Sequence, residues 1–126
     1  MRVLIVDDSD DLRELLETLL TEDPPGWVVA GTAVDGRDAI RKAQEILPDL
    51  VLLDASMPVM DGLSALPHLR RAAPAATVVM LSAFPGEQLR QAAIDAGAAG
   101  FVEKARMADE LVPALERILA AASRTA

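Results

Sequence analysis

The chain has 126 residues, 52% of them hydrophobic, with no cysteine and a formal net charge of −8. That length suits one domain with a sizeable core, and that hydrophobic share is too high for a disordered chain. The composition excludes thiolate metal sites and disulfides, fits a reducing cytosol, and argues against direct nucleic-acid contact, which needs clustered Lys and Arg.

Arg2–Val6 reads as a buried strand. Asp10 or Asp11 is the expected cap of a helix running to about Thr21, with Leu12, Leu15, Leu16, Leu19 and Leu20 on one face. Pro24-Pro25-Gly26 breaks the chain. Trp27–Val34 is a second strand, with Trp27 in the core. Gly36–Leu47 is a helix buried through Ala39, Ile40, Ala43 and Ile46 and stopped by Pro48. Leu50–Leu53 is the third strand, and a helix from about Leu63 to Ala72 follows. Thr77–Leu81 is the fourth strand, Glu87–Ala96 a helix ended by Gly97, and Gly100–Val102 a short fifth strand. Ala108–Ala122 is the last helix. The folded domain is therefore expected over residues 1–122, with 123–126 as a frayed C-terminal tail. Pro67 and Pro113 each fall about one turn into a helix, so these helices either start later or kink there.

Five strands alternating with five helices imply an α/β fold: a parallel, doubly wound sheet with right-handed crossovers and helices on both faces. No apolar run approaches the roughly 20 residues that span a bilayer. The start meets Asp7-Asp8 too early for a signal peptide, so a cytoplasmic protein without membrane contact is expected.

Four apolar runs end on residues suited to one chemistry. Leu4, Ile5 and Val6 lead to Asp7-Asp8; Val51, Leu52 and Leu53 to Asp54; Val78 to Leu81 to Ser82; Phe101 and Val102 to Lys104. Read singly, the Asp pair is a helix cap, Asp54 a turn residue, Ser82 a cap and Lys104 a solvated lysine. Read together, all follow strands of an alternating pattern and gather at the sheet's carboxyl edge, where open α/β sheets bind ligands. Hard carboxylate oxygens suit Mg²⁺, and an ammonium with a hydroxyl suits phosphoryl oxygens. Lys104 is one of 2 Lys against 10 Arg, a weak sign that a point charge is wanted there. His68, the single histidine, reads as a solvated helix position.

Val-Leu-Ile-Val-Asp-Asp, Val-Leu-Leu-Asp-Ala-Ser-Met-Pro-Val-Met-Asp-Gly, Val-Met-Leu-Ser-Ala and Ala-Gly-Ala-Ala-Gly-Phe-Val-Glu-Lys occur in that order. From Arg2 to about Leu119 the chain resembles the receiver domain of two-component response regulators. The resemblance implies a five-stranded, flavodoxin-like sheet of order 2-1-3-4-5. It implies Asp54 as phosphoacceptor, Asp8 as direct Mg²⁺ ligand, Asp7 as a ligand mainly through water, and the Ser56 backbone carbonyl as a further ligand. Ser82 becomes the switch hydroxyl, Lys104 the phosphate-binding lysine and Phe101 the switch aromatic. Ser56 and Phe84 would flank the attacking water and tune the lifetime of the phosphorylated state, Phe84 by covering the site.

The implied function is a signalling phosphoacceptor, not a turnover enzyme. It takes a phosphoryl group from a sensor histidine kinase or histidine phosphotransfer protein, accepts small donors, and dephosphorylates itself. A phosphorylation-dependent homodimer is a further partner the family admits. The expected form is a single-domain regulator; the alternatives are the receiver half of a helix-turn-helix DNA-binding regulator and an interaction module that works without phosphate. A dehalogenase-type hydrolase would need an acid where Ser56 stands. The P-loop and dinucleotide patterns do not occur. Lys104 is followed by Ala105 where the family commonly has proline.

Overall fold

In the computed structural model, residues 1–84 and 86–125 are described. The elements are β1 (Arg2–Val6), α1 (Asp10–Thr21), β2 (Val28–Ala33), α2 (Gly36–Ile46), β3 (Leu50–Asp54), α3 (Gly62–Ala72), β4 (Thr77–Ser82), α4 (Glu87–Asp95), β5 (Gly100–Glu103) and α5 (Met107–Thr125), with a 3₁₀ turn over Lys104–Arg106. All strand pairs are parallel, and the order is β2-β1-β3-β4-β5.

The apolar runs are continuous because both faces of the sheet are covered, as in parallel sheets generally. Alternate residues point to opposite faces. Leu4, Val6, Val51, Leu53, Val78 and Met80 join Ala39 and Ala43 of α2, Ala65, Leu66 and Leu69 of α3, and Ala93 of α4. Val3, Ile5, Leu50, Leu52, Val79, Leu81 and Val102 join Leu16 and Leu20 of α1 and Leu111 and Leu115 of α5. Each fully buried leucine contributes about 2 kcal/mol.

Several expectations are corrected. Ser9, not Asp10 or Asp11, caps α1: its Oγ accepts from the Leu12 N–H, and the two acids sit in the first turn, where they complement the helix dipole. Leu15 is 41% exposed and lies off the buried face, whereas Leu12 and Leu19 pack against the core with Trp27. α2 ends at Ile46 because Leu47 turns left-handed, with φ 50°. Pro67 lies inside α3, which starts at Gly62, and Pro113 inside α5, which starts at Met107. Both helices begin earlier than expected, and both prolines occupy exposed positions, so neither disturbs the core. α5 continues through Thr125, past the expected end at Ala122; of the expected tail, Ala126 lies outside the described residues. The cis peptide bonds among the described residues precede Pro24 and Pro25, so Lys104–Ala105 is trans.

Candidate functional site

Parallel strands in register end together. Val6 pairs with Leu53, Asp54 with Leu81, and Ser82 with Glu103, so the residues at or just past these positions share one edge. Carboxylate oxygens of Asp7, Asp8 and Asp54 lie within 4.8 Å of one another. Asp7 is 1% exposed, Asp54 2% and Ser82 4%, while Asp8 is open to solvent.

Lys104 ties the cluster together. Its Nζ lies 3.0 Å from Asp7 Oδ2 and 2.9 Å from Asp54 Oδ1. The Ser9 N–H donates to Asp7 Oδ1 at 2.9 Å, and the Ser56 N–H to Asp54 Oδ1 at 3.2 Å. Burial pushes the Asp54 carboxyl above its ordinary pKa, and the charge of Asp7 adds to the rise, against the hydrogen bonds from Lys104 and the Ser56 N–H. Burial by itself would pull the Lys104 ammonium down. Its hydrogen bonds to Asp54 and Asp7 outweigh that, and its pKa stands above the ordinary lysine value. The two shifts have one cause in common: negative charge concentrated in a poorly hydrated site, with one cation to balance it.

The loop from β3 to α3 carries Ser56 and is held from several directions. Ala55 N–H donates to the Leu81 carbonyl (2.8 Å), Gly62 N–H to Ala55 (3.1 Å), and Gly36 N–H, from the start of α2, to Met60 (2.9 Å). Asp61 caps α3 by accepting from the Ser64 N–H at 2.8 Å. Gly62 is required by close approach: a Cβ there would stand 2.2 Å from the Asp54 carbonyl oxygen. Val59 at the loop's tip has φ 67°, a left-handed conformation unfavourable for a β-branched residue. It is the centre of a tight turn in which the Met60 N–H donates to the Pro58 carbonyl at 2.7 Å.

The loop from β4 to α4 is different. The Phe84 N–H donates to Ser82 Oγ at 3.2 Å. Gly86 at the start of α4 offers no side-chain cap. The Phe84 ring is 87% exposed, so the cover expected over the site is not formed in this structure. Phe101 is half-buried against the α2–α3–α4 side of the core. It also walls a groove of about 340 Å³ between α4, β5 and α5, with Arg90, Arg106 and Arg117 at its rim. His68 is exposed, with Nδ1 2.9 Å from an Arg71 nitrogen, as expected for a solvated helix position.

The edge therefore brings together Asp7, Asp8, Asp54 and Lys104, holds Ser56 by its own N–H on Asp54 and Ser82 by the Phe84 N–H on its Oγ, and leaves Phe84 largely exposed. Sequence reasoning missed Arg13, whose Nη1 donates to the Asp7 carbonyl at 2.7 Å; its spacing from Asp10 on α1 was the available signal. It also missed Gly36, which the preceding cap residue Asp35 and the need for close approach to Met60 could have flagged.

Three carboxylates of this kind, one of them exposed, form a hard-oxygen donor set suited to a divalent cation that keeps several waters. A carboxylate held beside an ammonium is also a nucleophile that can take up a group whose oxygens the ammonium neutralises.

The family model for the response regulator receiver domain matches residues 3–116. Over 117 residues the chain is 37% identical to the chemotaxis protein CheY of Thermotoga maritima, covering 93% of this chain and 96% of that protein. It is 43% identical over 105 residues to a protein-glutamate methylesterase/protein-glutamine glutaminase of Maricaulis maris, covering 82% of this chain but 26% of that protein. Among solved structures, a two-component response regulator of the LuxR family from Aurantimonas superposes with a TM-score of 0.88 at 36% identity, covering 95% of this chain and 85% of that one.

Proposed function

Since this chain belongs to the response regulator receiver family, we propose that it accepts a phosphoryl group on Asp54 from a sensor histidine kinase or a histidine phosphotransfer protein in the cytoplasm, with Mg²⁺ at Asp7 and Asp8. The observation that carries this reading is Lys104, within 3.0 Å of both Asp7 and Asp54, two of the three clustered carboxylates, the third being Asp8. Asp8, Asp7, Asp54 and the backbone carbonyl of Ser56 would hold the cation. Bound there, Mg²⁺ neutralises phosphoryl oxygens and relieves repulsion among the acids.

The chain's own groups do the rest. Asp54 Oδ is the nucleophile, attacking in line as the phosphorus–nitrogen bond of the donor histidine breaks. Lys104 neutralises charge on the equatorial oxygens of a loose transition state. The Ser82 hydroxyl, now taken by the Phe84 N–H, turns to the new phosphoryl group, and Phe101 follows into the space it leaves. That biases an existing two-state equilibrium of the α4–β5–α5 face, the face on which a phosphorylation-dependent homodimer or a target would read the signal. Water later hydrolyses the acyl phosphate. Ser56 leaves room for that water, and Phe84 slows it only by moving inward from its exposed position; faster decay of the acyl phosphate in Phe84→Ala tests this.

A free-standing regulator is supported by the match to nearly the full length of the chemotaxis protein. The receiver of a longer regulator is supported by the methylesterase, of which the chain covers about a quarter. The mass of the protein in its own cells separates the two.

With Mg²⁺ and a small acyl-phosphate donor, intact-mass measurement should show one added phosphoryl group, lost in Asp54→Asn. Equal labelling of that variant would sink the assignment. Free Mg²⁺ at tenfold its dissociation constant should stabilise the fold by about 1.4 kcal/mol, and Asp8→Ala should remove most of that gain.

A further inference from the structure

Arg13 lies one turn into α1, yet its side chain is 16% exposed while that of its ion-pair partner Asp10 is 91% exposed. Nη2 pairs with Asp10. Nη1 reaches back over the β1–α1 loop to the Asp7 carbonyl at 2.7 Å. That bond closes the loop across six residues, and Asp7 and Asp8 both lie inside the closed segment.

The two acids depend on this closure differently. The Asp7 carboxylate is held independently, by the Ser9 N–H on one oxygen and Lys104 on the other. Asp8 is exposed and has no hydrogen bond or ion pair among the described residues. Its position beside Asp7 and Asp54 therefore follows from the loop backbone alone. That backbone is tied to β2 by the Asp7 N–H on the Ala33 carbonyl at 3.0 Å, and among the described residues the side chain that holds it at the Asp7 carbonyl is Arg13.

We propose that Arg13 is a positioning residue for the divalent-cation site: by holding the Asp7 carbonyl it sets the loop that presents the Asp8 carboxylate. This rests on the cation reading above. Arg13 acts through the loop and touches neither the cation nor the phosphoryl group.

Charge and geometry make opposite demands here, so the sign of one measurement decides. A guanidinium near the cluster repels a second cation, and removing it should tighten Mg²⁺ binding if charge were its whole role. If Arg13 holds the loop, removing it should weaken Mg²⁺ binding.

The test is calorimetric titration of MgCl₂ into the wild type, Arg13→Gln and Arg13→Lys, with amide hydrogen exchange in the absence of Mg²⁺ read at Ser9, whose N–H is bonded to Asp7 Oδ1. The expected result is a dissociation constant about tenfold higher in Arg13→Gln, the scale typical when a group supporting a metal ligand is lost, with faster exchange at the Ser9 amide. Arg13→Lys keeps the charge without the planar fork and should weaken binding less. It also carries the comparison if Arg13→Gln does not melt cooperatively. Unchanged or tighter Mg²⁺ binding in both variants, or unchanged exchange, overturns the positioning role. Failure of the wild type to bind Mg²⁺ would overturn the cation reading itself, and is distinguishable because it precedes any mutation.

Discussion

The loops after β3 and β4 leave neighbouring strands of one sheet, and each carries a residue of the site, yet they are built on opposite terms. The first is tied by the N–H groups of Ala55, Gly62 and Gly36 and closed by the Asp61 cap. It leads into α3, where Gly62, Ala65, Leu66 and Leu69 are buried. The second is held at the Phe84 N–H by Ser82 Oγ. It leads into an uncapped α4 with one buried residue, Ala93. A nucleophile must not wander, because misplacement of reacting atoms is costly. A switch element must reach a second position cheaply, and elements with little buried contact do so at low free energy. Among the described residues, the strong anchoring beside Asp54 and the weaker anchoring beside Ser82 fit the two tasks proposed for these residues.

The sharpest way to break this contrast is at Gly62. A Cβ placed 2.2 Å from the Asp54 carbonyl oxygen and 3.1 Å from the Ala55 Cα meets backbone that cannot give way. Gly62→Ala should cost about 3 kcal/mol or more in urea denaturation, with loss of phosphorylation to match. A mild effect would show that the first loop is looser than its hydrogen bonds suggest.

A smaller loss follows from the cap. Asp61→Ala leaves the Ser64 N–H without its acceptor and should cost about 1 kcal/mol. Hydrogen exchange should quicken through the first turn of α3 and leave α4 unchanged.

The tied side also carries a pH signature. Asp38 in α2 is opposed by its own burial, which raises its pKa. The hydrogen bond from Arg41, helped by the Val34 N–H and Lys42, prevails and holds it below the ordinary 3.8. A depressed carboxyl contributes stability that is present above the unfolded pKa and is lost as pH falls through the folded one. Stability should therefore decline as pH falls below 3.8 in part through this group, and only slightly, since its partner Arg41 is 64% exposed and water screens the pair. Asp38→Asn should remove that component from an acid titration of the melting temperature.

The least effect is expected on the loose side. Nothing lies within 4 Å of a Cβ at Gly86, and its backbone is extended, with φ −145° and ψ 150°. Gly86→Ser supplies the missing cap oxygen and should stabilise by a few tenths of a kcal/mol. It should also slow exchange at the start of α4, narrowing the contrast between the two loops.

Much of this was legible in the residues. The alternation of apolar runs with helical periodicity placed five strands and five helices within a residue at each end, except that α5 runs three residues past its expected end, because each run must be buried on both faces and each helix on one. The strand order came from the motif resemblance, since periodicity does not say which strands are neighbours. Misplaced details were local competitions. Ser9, Asp10 and Asp11 all have cap chemistry, and backbone geometry selected Ser9. Leu15 had the spacing of a core residue, but α1 buries Leu16 and Leu20 and leaves it 41% exposed.

The amino-acid sequence by itself determined that Asp7, Asp54, Ser82 and Lys104 would meet at one edge. Strands joined by right-handed crossovers run parallel and end on the same side, and each of these residues stands at or just beyond a strand's end. Only the tertiary structure decided that Lys104 spans both Asp7 and Asp54, that Arg13 reaches back to the Asp7 carbonyl, and that Phe84 stands exposed. The Lys104 contacts join residues remote in the chain, and the orientations of Arg13 and Phe84 are set by how each loop is held. The physical reason is the same in each case: local pattern fixes which face a residue occupies, whereas distance across a site is set by the packing of everything around it.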